Sequence, residues 1–178
     1  MSRLTFDQAK VWRVGTDIDT DVLAPGAYMQ HGIEVIAQHC LESVRPEFAA
    51  TVRPGDVLVA GANFGIGSSR EQAAGALLHL GIRAVIAPSF SGLFFRNAFN
   101  LGLLLLTCEQ ALNLQEGETL RFDGQQVHRV TGEILRCSPI PDFLLDMVRA
   151  GGLLNLLKQQ RHRPMSLGES EASSPTLS

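Results

Sequence analysis

The sequence has few cysteines, and none of them belongs to a metal-binding motif. Cys40, Cys108 and Cys137 are odd in number and widely spaced, and no C-x-x-C pair occurs. This spacing argues against a self-contained zinc or iron–sulfur site, and it is more typical of a reducing compartment than of a disulfide-forming one. We therefore expect this chain to bind no metal or cofactor by itself.

The sequence also lacks an excess of positive charge and a long apolar run. Fifteen Lys and Arg residues against 18 Asp and Glu residues give a net charge of −3, without the basic surface that nucleic-acid phosphates require. No apolar run approaches the roughly 20 residues of a bilayer span. Asp7 interrupts the region where a secretory signal would be apolar. We expect a cytoplasmic protein that binds neither nucleic acid nor membrane.

The sequence does contain an alternation of strand-like and helical patterns, which predicts an α/β fold. A chain of 178 residues that is 45% hydrophobic is long enough for one domain with a substantial core. The periodicity predicts strands at 11–14, 56–60, 83–87 and 103–107, and helices at 33–41, 69–80 and 91–100. Gly81 and Gly102 are predicted to end the last two helices.

The pattern changes after Gly117. Three short segments at 119–122, 126–130 and 133–137 are separated by glycine turns, and they predict a β meander as a small appendage to the α/β core. A helix follows from Pro141 to Arg149, with a break at the next glycine pair and one or two further turns beyond it. Residues 163–178 are rich in Ser, Pro, Glu and Thr, which predicts a disordered tail after a folded domain at 1–162.

One glycine-rich loop, at 61–71, lies between a predicted strand and a predicted helix. Its sequence is Gly-Ala-Asn-Phe-Gly-Ile-Gly-Ser-Ser-Arg-Glu. Closely spaced glycines let backbone N–H groups point into a cavity, and a helix start adds partial positive charge, so the loop predicts an anion site. Nucleotide-binding loops fit poorly, because no Lys follows the last glycine and Arg70 occupies the place of a third glycine.

Two interpretations of this loop remain open. A capping box, formed by Ser68 with Glu71 or by Ser69 with Gln72, would explain the serines. It would not explain Arg70, whose cation in a first helical turn costs a few tenths to about 1 kcal/mol. A carboxylate ligand held by Arg70 would reverse this penalty, and a serine among N–H donors could ionise beside it. The ligand could serve catalysis or a non-catalytic module that binds carboxylate or phosphate.

The loop resembles the G-x-N-x-G-x-G-S-S-R-E-[HQ]-A signature of the mobile, swivelling domain of the aconitase superfamily. The resemblance extends from about residue 15 to 107 and includes a D-T-D-x-I-x-P-like segment at 17–25, with further matches at 45–48, 53–56, 89–90, 95–97 and 100–102. It implies a β/β/α swivelling domain that acts as a small subunit. The members with such a short chain are 3-isopropylmalate dehydratases of leucine biosynthesis, homoaconitases and substituted-malate dehydratases.

The same resemblance implies a reaction and a set of site residues. The reaction is the isomerisation of a 2-hydroxy di- or tricarboxylate by dehydration and rehydration. It requires a large subunit whose [4Fe-4S] cluster acts as a Lewis acid. Ser68 resembles the catalytic base, and Asp21 resembles an acidic residue that orients catalytic groups of the other subunit. Ser69, Arg70 and Thr20 are expected to bind substrate.

The segment 28–31 departs from the family pattern. The isopropylmalate enzymes commonly show Tyr-Leu-Arg-Thr there, in a loop that senses the variable side chain of the substrate. Gln30 replaces the arginine and carries no charge, whereas His31 is charged only when it is protonated. Both are predicted to contact substrate, although His31 could be an ordinary loop histidine. The departure leaves the identity of the 2-hydroxy acid open.

Overall fold

The computed structural model describes residues 2–163 and follows the predicted alternation. The strands are β1 (Phe6–Arg13), β2 (Val57–Val59), β3 (Ala84–Ala87), β4 (Leu104–Thr107), β5 (Thr119–Phe122), β6 (Gln126–Arg129) and β7 (Ile134–Arg136). The helices are α1 (Thr20–Leu23), α2 (Ile33–Gln38), α3 (Phe48–Thr51), α4 (Glu71–His79), α5 (Gly92–Leu101), α6 (Asp142–Ala150) and α7 (Leu153–Arg161). Short 3₁₀ turns occur at Gly26–Tyr28 and Ala111–Asn113. Of the tail predicted to be disordered, all but Arg163 lies outside the described residues.

All seven strands form one mixed sheet in the order β4-β3-β2-β1-β5-β6-β7. Strands β1 to β4 pair with one another in parallel, and β5 to β7 form the predicted meander with antiparallel pairing. Strand β1 joins the two halves, because its C-terminal end pairs with β2 and its N-terminal part pairs antiparallel with β5. The predicted mixed α/β architecture is thus confirmed, and the meander continues the core sheet.

The parallel half of the sheet forms the centre of the core. Every residue of β2 and β3 is buried, as expected for parallel strands that are covered on both faces. Helix α4 contacts both α2 and α5 and buries three alanines, whose small side chains permit close packing. Within the described range, no helix has the length and apolar character needed to cross a bilayer.

Glycines end the helices that flank this core, as predicted. Gly81 follows α4 with φ +84° and Gly102 follows α5 with φ +87°, both in the left-handed region that side chains rarely adopt. A Cβ at Gly81 would lie 2.5 Å from the Cα of Pro54, so the close approach also requires glycine. After these stops the chain enters β3 and β4.

Candidate active site

The loops that follow β1, β2 and β3 hydrogen-bond to one another beyond the carboxyl ends of these parallel strands. Gly65 N donates to Ile18 O at 2.7 Å and Thr20 N donates to Ile66 O at 2.8 Å. On the other side, Ser91 N donates to Phe64 O at 2.9 Å. The glycine-rich loop is therefore held between its two neighbours, at the edge where ligands of open α/β sheets usually bind.

Two glycines allow this loop to pack closely. Gly65 has φ +83°, and a Cβ there would lie 2.2 Å from Cγ of the buried Phe94. Gly67 has φ +105°, and a Cβ there would lie 3.1 Å from Oγ1 of Thr20. The first glycine lets the loop rest on α5, and the second lets it rest on the start of α1.

Substitution of Gly65 by alanine is expected to lower the free energy of unfolding by about 2–5 kcal/mol. The left-handed backbone costs a side chain roughly 1–2 kcal/mol, and overpacking against Phe94 costs about 1–3 kcal/mol. Urea denaturation measures the change. Gly117→Ala is the matched control, because Gly117 has φ +79° with nothing within 4 Å of the added Cβ. An equal effect of the two substitutions would contradict the packing argument.

The structure places Ser68 against Thr20. Their hydroxyl oxygens, Oγ and Oγ1, are 3.3 Å apart, and Thr20 is only 2% exposed, whereas Ser68 lies on the exposed rim of the loop. Thr20 is the first residue of α1, whose N-cap Asp19 accepts hydrogen bonds from Asp21 N at 2.8 Å and Val22 N at 3.0 Å. The capped helix thus fixes a buried hydroxyl that orients an accessible one.

Arg70 and Asp21 form an ion pair beside these hydroxyls. Arg70 Nη1 donates to Asp21 Oδ1 at 2.6 Å and to the carbonyl oxygen of Ala24 at 3.0 Å. Gly26 N donates to the same Asp21 oxygen at 2.9 Å. The hydrogen bond from Arg70, followed by the one from Gly26, lowers the pKa of the Asp21 carboxyl, so the ion pair is intact at neutral pH.

The capping-box interpretation was wrong. Helix α4 begins at Glu71 rather than Ser69, its N-cap is Arg70, and that cap makes no side-chain hydrogen bond. Arg70 has an extended backbone (φ −78°, ψ 108°) and its side chain is held by α1 and the turn that follows. Its charge is therefore compensated by Asp21, whereas the sequence predicted that a bound carboxylate would compensate it.

The three aspartates near β1 do not converge as a calcium loop would. Asp19 caps α1, Asp21 pairs with Arg70, and Asp17 accepts a 2.9 Å hydrogen bond from the side chain of Asn63. Across residues 2–163, no group of three or more His, Cys, Asp or Glu side chains could hold a metal ion. Each carboxylate has a distinct structural partner.

Sequence reasoning missed two residues that organise the site. Asn63 adopts φ +60°, donates its N–H to Ser89 Oγ at 2.9 Å and thereby links the loops after β1, β2 and β3. Asparagine tolerates this conformation better than most residues, which is the sequence signal for it. Gly26 supplies the backbone donor to Asp21, and its signal is the Pro-Gly pair that marks a turn.

The predicted specificity residues lie apart from this cluster. Gln30 and His31 are exposed and follow the 3₁₀ turn that begins at Gly26. In the described part of the chain their side chains make no hydrogen bond to Ser68, Asp21 or Arg70, and the exposed Ser69 hydroxyl makes none either. Substrate contacts of these three residues stay predictions.

Comparison with known proteins identifies relatives over nearly the whole described chain. The profile of the aconitase C-terminal domain matches residues 24–111. The 3-isopropylmalate dehydratase small subunit 1 of Archaeoglobus fulgidus is 44% identical over 158 residues, 86% of this chain and 98% of that protein. The methanogen homoaconitase small subunit of Methanothermobacter thermautotrophicus is 42% identical over 152 residues, 83% of this chain and 88% of that protein.

A solved structure gives the same result. The crystal structure of 3-isopropylmalate dehydratase from Methanocaldococcus jannaschii matches with a TM-score of 0.83 and 34% sequence identity. The match covers 88% of this chain and 95% of that chain. The similarity therefore extends over most of the chain.

Proposed function

The chain belongs to the aconitase C-terminal domain family, and on that basis we propose that it is the small subunit of a 3-isopropylmalate dehydratase, a hydro-lyase of leucine biosynthesis. Relatives with this name match at 38–44% identity, and the Archaeoglobus protein is covered over 98% of its length. The main structural support for an active site at the glycine-rich loop is the hydroxyl contact between Ser68 and Thr20, which lies beside the Asp21–Arg70 ion pair. We place the protein in the cytoplasm, in accord with its free cysteines.

In this proposal Ser68 is the catalytic base. Its hydroxyl is accessible and is oriented by buried Thr20, and Arg70 follows two residues later in the same loop. A nearby cation favours the ionised form of a hydroxyl, which would then take the proton from the carbon next to the carbinol carbon. Arg70 binds a substrate carboxylate and thereby aims that proton at Ser68. Ser69 donates to the same substrate.

The [4Fe-4S] cluster and the rest of the active site are assigned to a large subunit. The residues of this chain do not fit the cluster, since Cys40 and Cys108 are buried and the described part contains no group of three potential ligands. Burial raises the pKa of the Cys40 thiol, which disfavours the thiolate that a metal would need. The relatives are themselves named small subunits, which supports a larger partner.

Two observations support an alternative assignment, in which the protein is the small subunit of a homoaconitase. Gln30 stands where the isopropylmalate enzymes usually carry arginine, and the methanogen homoaconitase small subunit is nearly as similar as the isopropylmalate relatives. Gln30 and His31 begin an exposed segment that is free to face the variable end of a substrate. The choice between the two substrates would then depend on this segment rather than on Ser68 or Arg70.

Anaerobic reconstitution with the large subunit tests the proposal. The complex would be supplied with 3-isopropylmalate, homocitrate, citrate and substituted malates, and kcat/KM would be measured from product formation. We expect 3-isopropylmalate to give the highest value and the isolated chain to be inactive. A higher value for homocitrate would reassign the substrate, and turnover by this chain without a partner would overturn the small-subunit proposal.

A further inference from the structure

One oxygen atom joins the proposed carboxylate clamp to the turn that follows α1. Asp21 Oδ1 accepts from Arg70 Nη1 at 2.6 Å and from Gly26 N at 2.9 Å. The two donors reach this oxygen from different segments, since Arg70 precedes α4 and Gly26 begins the 3₁₀ turn. Any shift of the turn therefore moves the oxygen that fixes the guanidinium.

The hydrogen bonds of Arg70 use only one side of its guanidinium. The two N–H groups of Nη1 are taken by Asp21 Oδ1 and by the carbonyl oxygen of Ala24, at 2.6 and 3.0 Å. Within residues 2–163, Nε and Nη2 donate to no protein group. These two atoms form one of the edges through which arginine binds a carboxylate bidentately. The guanidinium is thus anchored through Nη1, while its Nε–Nη2 edge is available to a ligand.

Space for a side chain at Gly26 is limited, whereas its backbone conformation is ordinary. Its φ is not among the positive values of the described glycines, so its backbone suits any L-residue. A Cβ at this position would lie 3.3 Å from Asp21 Oδ1 and 3.6 Å from Arg70 Nη2. A side chain would therefore crowd the anchoring oxygen, whereas its contact with Nη2 would be an ordinary van der Waals contact.

We propose that Gly26 is a positioning residue for Arg70. Its N–H holds Asp21 Oδ1 so that Asp21 and Ala24 fix Nη1, and the Nε–Nη2 edge is presented to a substrate carboxylate. This inference rests on the proposed role of Arg70 as the carboxylate clamp. The 3₁₀ turn that begins at Gly26 leads into Gln30 and His31, so the placement of that segment and the orientation of Arg70 are linked through a single oxygen.

A pair of substitutions tests the contact between residue 26 and Asp21 in two steps. Gly26→Ala adds the Cβ and keeps the N–H, whereas Gly26→Pro also removes the donor and places the ring Cδ where its hydrogen pointed, so that Asp21 Oδ1 must move. Proline suits the backbone here, because the preceding Pro25 is extended (φ −60°, ψ 136°) and residue 26 is the first of its turn. Thermal unfolding of both variants establishes that the chain remains folded.

Two measurements then test the inference. In the isolated full chain, NMR titration of the Asp21 carboxyl should give a midpoint that moves up, toward that of a free aspartate, in Gly26→Pro and moves less in Gly26→Ala. In the reconstituted complex, KM for 3-isopropylmalate should rise about tenfold or more in Gly26→Pro, with a smaller change in kcat, as expected for lost ground-state binding. A merely structural defect would lower thermal stability without this split.

The outcomes distinguish failure of the inference from failure of the proposed function. An unchanged Asp21 titration in Gly26→Pro would overturn the positioning role, whatever the activity. A shifted titration with an unchanged KM would show that Asp21 is disturbed without effect on substrate binding, which would overturn the positioning of Arg70 by Gly26. The carboxylate clamp itself is tested separately by Arg70→Ala. If the proline variant does not fold, Gly26→Ala decides, because its Cβ alone must displace Oδ1 and shift the titration.

Discussion

Replacement of Ser68 by alanine is expected to lower kcat of the reconstituted dehydratase by a factor of about 10²–10⁴, the usual contribution of a positioned general base. The substitution removes the only atom of this side chain that could accept the substrate proton. KM should change little, because Arg70 and its anchors stay in place. Steady-state kinetics under anaerobic conditions would measure both constants.

The Ser68→Ala result also separates the catalytic proposal from a non-catalytic anion-binding module. In a pure anion site, removal of one hydroxyl would weaken the affinity for the anion only modestly. The complex would then catalyse no dehydration in either the wild type or the variant. Ser69→Ala is the matched comparison, since its hydroxyl is exposed and adjacent in sequence, and loss of its proposed substrate contact should alter KM rather than lower kcat by this factor. A Ser68→Ala enzyme that keeps more than about a tenth of the wild-type kcat would contradict the base assignment.

Thr20 provides a graded version of the same test. Thr20→Val retains the shape of the buried side chain and removes the hydroxyl that lies 3.3 Å from Ser68 Oγ. If Thr20 only orients Ser68, the loss in kcat should be much smaller than that caused by Ser68→Ala. The resemblance predicts that Thr20 contacts substrate directly, but its side chain is only 2% exposed. A loss in kcat as large as that of Ser68→Ala would indicate such a direct contact.

The secondary structure near the site was largely predictable because each element has a local signal. Gly81 and Gly102 mark the ends of α4 and α5, and the apolar patterns of β3 and β4 follow them. Strand β1 was predicted only from residue 11, because Asp7, Gln8 and Lys10 break the apolar pattern in its first half. That half pairs with β5, so the single continuous sheet could not be derived from sequence periodicity.

The chemistry of the glycine-rich loop was predictable only in part. Glycines followed by a helix indicate an anion site from local physics, but the role of Ser68 came from family resemblance. The Asp21–Arg70 pair joins residues 49 positions apart, and such a contact leaves no local signal. For the same reason the capping box was a reasonable but wrong inference, since nothing near Arg70 in sequence reveals the α1 carboxylate that compensates it.

Arg70 is the second residue whose substitution should have a large effect. Arg70→Ala is expected to lower kcat/KM of the complex by about 10²–10³, because truncation of one member of a charged, hydrogen-bonded pair costs about 2–5 kcal/mol of binding. Arg70→Lys should recover only part of this loss, since an ammonium group cannot replace the planar Nε–Nη2 edge or satisfy Asp21 and Ala24 together.

The effect of Arg70→Ala on folding should be small by comparison. The Asp21 side chain is 66% exposed, and exposed ion pairs contribute only about 0–1 kcal/mol to stability. Arg45→Ala is the matched control, because Arg45 is similarly exposed and pairs with Glu47 and Glu116 away from the glycine-rich loop. That control should alter stability without a comparable change in kcat/KM. If Arg70→Ala and Arg45→Ala reduce kcat/KM equally, Arg70 has only a structural role, and the substrate carboxylate must be bound elsewhere in the complex.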